Sequence, residues 1–71
     1  MEKEYQRMMS ALERYEKGES KIMATYAEIK SAEKSLLEMA KGNKAMTILV
    51  RLLIKTMRSR VREIKLNKLI G

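Results

Sequence analysis

Between residues 51 and 65 the chain reads RLLIKTMRSRVREIK, in which six cationic side chains and one carboxylate are threaded through leucine, isoleucine, valine and methionine. Cations recurring at this spacing can do one kind of chemistry, which is to hold an anion. Placed on a helix at about 100° per residue, Lys44, Arg51, Lys55, Arg58, Arg62 and Lys65 share an arc of about 80°. Arginine outnumbers lysine across 51–62, which suits the planar, bidentate geometry of phosphate contacts. From Lys44 to Lys65 the stripe runs about 30 Å, long enough to follow a row of phosphates and release their counterions. Lys44, Arg51, Lys55, Arg58, Arg62, Lys65 and, at the far end, Lys68 are the candidate nucleic-acid-binding residues.

The distribution of charge sharpens this reading. Residues 1–43 carry eight basic and eight acidic side chains, whereas residues 44–71 carry eight basic ones and only Glu63, so the whole net charge of +7 belongs to the second part. A solvated helix face normally mixes signs, as Glu13 and Lys17 do four residues apart. An almost acid-free stripe fits that description poorly. The expected partner is therefore the phosphate backbone of DNA or RNA. The alternative is a structural or assembly protein, such as a virion, scaffolding or secretion component, whose basic helix docks an acidic protein partner. A membrane-surface role is the weaker reading, because Trp and Phe, the usual interfacial anchors, are absent. Few side chains near the stripe read base edges, chiefly Thr47, Thr56, Ser59 and Asn67, and no aromatic is available for base stacking. Binding is expected to be sequence-tolerant, as in a small nucleoid, nucleocapsid or accessory regulatory protein.

Other chemistries find little support. The chain has no His, Asp or Cys, so disulfides and thiolate metal sites are excluded, and the remaining acid–base groups form no recognisable constellation. Glu13 and Glu16 are too few ligands for a carboxylate metal site. The five serines have no base partner, and GNKAMT lacks the spacing of a phosphate-binding loop. No enzyme activity, cofactor or metal is expected.

The elements that position the stripe follow from periodicity. With no Pro, three Gly and abundant Glu, Lys, Leu, Met and Ala, the composition is that of long helices. Steps of three and four residues from Tyr5 meet Met8, Leu12, Tyr15, Glu19, Ile22, Tyr26, Ile29, Glu33, Leu36 and Ala40, a heptad seam. Glu19 and Glu33 should lie at its edge or face a cation, because an unpaired carboxylate is costly to bury. At AKGNKA, Gly42 suits a left-handed helix stop and Asn43 a helix N-cap. The second helix should bury Met46, Val50, Leu53, Met57, Val61 and Ile64, with Ile48, Leu49 and Leu52 making its turn-proximal end the most deeply buried. Arg60, off the stripe, should pair with a seam Glu. A helix-turn-helix is disfavoured, since AMTILV is too apolar to enter a groove.

The expected fold is an all-α antiparallel helical hairpin in a single domain over 1–71. It comprises a charge-balanced oligomerisation helix over about 2–41, a turn at Gly42–Asn43 and a basic amphipathic helix over about 44–69. The second helix is too short to cover the start of the first, which leaves Tyr5, Met8, Met9, Leu12 and Tyr15 as the expected oligomer interface. A break at Gly18, capped by Ser20, would instead give a three-helix bundle. The expectation favours a second copy and a four-helix bundle, since a chain this short builds a marginal core. MEKEYQ has no signal-peptide pattern, and a cytoplasmic or intravirion location is expected.

Overall fold

The helix that begins at Glu2 does not run through Gly18. In the computed structural model, which describes residues 1–71, the chain is all-α with no strands, and its helices are α1 (Glu2–Glu16), α2 (Ile22–Met39) and α3 (Lys44–Ile70). Gly18 takes a φ of +80°, its N–H donates to the Tyr15 carbonyl at 3.0 Å, and the Glu19 N–H donates to the Arg14 carbonyl at 2.8 Å. This pair of bonds is the glycine-terminated helix stop, in which the missing Cβ removes the penalty of a left-handed residue. The expected continuous helix over 2–41 is thus two helices. Ser20 does not cap the second one: Lys21 is the N-cap and offers no side-chain bond. The heptad seam survives the break because α1 and α2 turn their apolar faces to the same core.

The turns make an up-down-up bundle measuring 44 × 17 × 17 Å. Arg7 ties α1 to α2, donating to Glu28 at 3.3 Å and to the Ser31 hydroxyl at 3.2 Å. At the second turn Gly42 has a φ of +84°, and the Asn43 side chain accepts the Met46 N–H at 3.1 Å. Both local signals thus act as their residue types dictate, and α3 starts at Lys44.

The core draws Met8, Leu12 and Tyr15 from α1, Ile29, Ala32 and Leu36 from α2, and Val50, Ile54, Met57, Val61 and Ile64 from α3. Met8, Leu12 and Tyr15 are therefore buried by the chain's own helices, although they were expected to meet a second copy. The fold-back at Gly18 supplies the cover that the overhang lacked. Tyr5 and Met9, from the same expected interface, stay exposed. Ala11 and Ala32 are almost fully buried, and such small side chains let neighbouring helices approach closely. No helix is long and apolar enough to cross a membrane.

On α3 the buried face is rotated from the expected one. Ile54 is in the core, while Met46 and Leu53 only pack against its edge. Ile48, Leu49 and Leu52, expected at the most buried end, are instead 57%, 58% and 56% exposed. They lie on the side of α3 away from Val50 and Ile54, which neither α1 nor α2 covers. Tyr15 lies beside Lys68; at equal rise per residue in two parallel helices, the start of α1 stands level with about residue 55 of α3.

Candidate nucleic-acid interface

α3 has 27 residues, and one continuous helix of this length carries the cationic stripe without a break. Lys44, Arg51, Lys55, Arg58, Arg62 and Lys65 are all exposed, because burying Val50, Ile54, Met57, Val61 and Ile64 turns the stripe's arc toward solvent. The ion pairs found in the fold involve the N-terminus with Glu4, Arg7 with Glu28, Lys17 with Glu13, Arg58 with Glu33 and Arg60 with Glu63. Lys44, Arg51, Lys55, Arg62 and Lys65 therefore have no carboxylate partner. They form a ridge of uncompensated charge along one side of the molecule.

Two cations differ from the sequence reading. Lys68 sits with its Nζ 4.8 Å from the centroid of the Tyr15 ring, on the α1 side of α3, so it adds nothing to the ridge. A cation over an aromatic face at a partly wet site is worth about 0.5–1 kcal/mol, and here it ties the end of α3 to α1. Arg60 pairs with Glu63 of its own helix at 3.2 Å, not with a seam carboxylate of the first half. Glu33 does face a cation, with its Oε1 3.5 Å from Arg58. Glu19 lies exposed in the first turn.

α2 carries exposed lysines of its own. Lys30 and Lys34 line a shallow surface depression with Glu33, the residue that meets Arg58 across the α2–α3 contact. In the sequence they belong to the charge-balanced half. The carboxyls with lowered pKa lie elsewhere, on α1. Glu4 is lowered chiefly by a backbone hydrogen bond, helped by the N-terminal ammonium. Glu13 is lowered by the hydrogen bond from Lys17, at 2.9 Å.

Base-reading capacity shrinks further in the fold. Thr47 and Thr56 donate their hydroxyls to the carbonyls of Asn43 and Leu52, each at 3.0 Å. Ser59 and Asn67 remain as the uncharged polar side chains of α3 without such a bond. No group of three or more acidic side chains is close enough to hold a metal ion. No protein-family model, curated protein or solved structure matches this chain, so any functional reading rests on these side chains alone.

Proposed function

We propose that this chain is a non-catalytic, sequence-tolerant nucleic-acid-binding protein that lays the ridge of α3 along a phosphate backbone. The observation that carries the proposal is the row of five unpaired cations, Lys44, Arg51, Lys55, Arg62 and Lys65, on one exposed face of a single helix. A row about 30 Å long matches a length of duplex that carries roughly 18 phosphate charges. Charge neutralisation along such a row needs no base contact. The bonding of Thr47 and Thr56 to their own helix supports sequence tolerance, and the absence of aromatics on α3 favours duplex over stacked single strands.

Fluorescence anisotropy with a labelled random duplex tests the reading. Binding should be measurable at low salt and equal for unrelated sequences, and an excess of unlabelled duplex of any sequence should displace the probe. An absence of binding at low salt, with the protein folded by circular dichroism, would overturn it. In that case the acidic-protein reading gains, because Ile48, Leu49 and Leu52 offer an apolar contact beside the same cations.

A further inference from the structure

α3 leaves two faces open to solvent, and only one of them is charged. Beside the ridge, Ala45, Leu49, Leu52, Thr56, Ser59, Glu63, Leu66 and Ile70 recur at alternating spacings of four and three residues along the side opposite the core. All are exposed, including Leu49 at 58%, Leu52 at 56%, Leu66 at 57% and Ile70 at 85%. The apolar members form two groups, Leu49 and Leu52 towards the start of α3 and Leu66 and Ile70 towards its end, separated by the polar Thr56, Ser59 and Glu63.

We propose that this seam is the contact for a second copy of the chain, with α3 packed antiparallel to α3. The residue pattern is compatible with its own reversal. Turned end for end about the point between Met57 and Arg58, Leu49 falls level with Leu66 of the second copy, and Ala45 with Ile70. The small Thr56 and Ser59 meet at the two-fold axis, where the helices cross. Glu63, the only acid of α3, falls level with Leu52 of the second copy and near the height of its Arg51 and Lys55. A parallel pairing would set Glu63 against itself. A bilayer is a poor occupant, since the middle of the face holds Thr56, Ser59 and Glu63.

Charge sets how this dimer behaves. A two-fold axis normal to the helix pair keeps both ridges on the same side, so the cations of one copy stand beside those of the other. Arg58, which comes closest to its own counterpart, is the one ridge cation with a carboxylate beside it, Glu33 at 3.5 Å. The remaining repulsion is screened by salt. Self-association therefore tightens as salt rises, opposite to phosphate binding. The contact strip is about 40 Å long and about 10 Å wide, roughly 800 Å² over both copies and below the usual size of a stable interface, so the association is weak and transient.

Sedimentation equilibrium of the full chain, without nucleic acid, tests the seam independently of the ridge's ligand. The expected result is a reversible equilibrium between the 8.3 kDa chain and its dimer. Association should strengthen between about 50 mM and about 500 mM salt, and Leu49→Lys with Leu66→Lys should weaken it at least about tenfold while the helical circular dichroism holds. Because the chain has no Cys, introduced thiols report register cleanly: a mixture of Leu49→Cys and Leu66→Cys chains should cross-link on oxidation, and Leu49→Cys alone should not. A monomer at every salt concentration up to the millimolar protein range would overturn the proposal. So would cross-linking of Leu49→Cys alone as fast as the mixture.

Discussion

Single residues decide where this chain turns. Gly18 and Gly42 have positive φ with open space around the Cβ position, so a substitution there meets backbone strain and no clash. Gly18→Ala should lower stability by about 1–2 kcal/mol in a urea titration, and Gly18→Asn by less, because asparagine tolerates the left-handed region. Asn43→Ala removes the one side-chain cap on α3 and should cost about 1 kcal/mol. The turn at Gly42–Asn43 was legible because both residues favour the same local geometry. At Gly18 the signals conflict: the glycine favours a stop, while the apolar repeat continues through Ile22 and Tyr26 in register. Only the backbone bonds of Gly18 and Glu19 decide between them. Lys68 was misplaced for a different reason. Its charge resembles that of the ridge, but its position on the helix wheel lies on the core side, over Tyr15.

At the scale of elements, the sequence identifies α3 as amphipathic but leaves its buried side ambiguous near the start. From Ala45 to Ile54 apolar side chains occur almost all round the helix, so periodicity alone cannot rank Leu53 above Ile54 or place Leu49 and Leu52. The choice is made by where α2 and α1 lie, and α1 covers only the later part of α3. The seam of the first half was better determined, since Met8, Leu12, Tyr15, Ile29, Leu36 and Ala40 are all buried as their spacing implies. What the spacing could not disclose is that these faces meet within one chain. Ile29 is fully buried among all three helices' core residues, and Ile29→Ala should cost about 2–5 kcal/mol by the lost transfer energy and the cavity it leaves. In a domain of 71 residues that loss is large enough to show as partial unfolding at room temperature in circular dichroism.

Considered as a whole, the molecule is a rod with its net charge on one helix. α1 and α2 pack against α3 and the core fixes its rotation, so five unpaired cations stand in a row that neither turn interrupts. The ridge was legible in the sequence because 100° per residue is a property of any helix. The side of α3 that is buried near its start was not, since it depends on tertiary packing. The seam on α3 was hidden for the same reason: Leu49 and Leu52 read as core until the fold turned them outward.

The central claim is that the ridge, and not the total charge, holds a polyanion. It is tested most directly by the salt dependence of duplex binding in matched variants that each remove one positive charge. For the unmodified chain the log–log slope of affinity against salt should be about −4 to −5, the value for roughly five phosphates neutralised. Arg51→Gln and Arg62→Gln should each make the slope shallower by about 1. Lys68→Gln, which removes the same charge over Tyr15, should leave the slope unchanged. Equal slopes for all three variants would contradict the account, because affinity would then follow net charge wherever it sits.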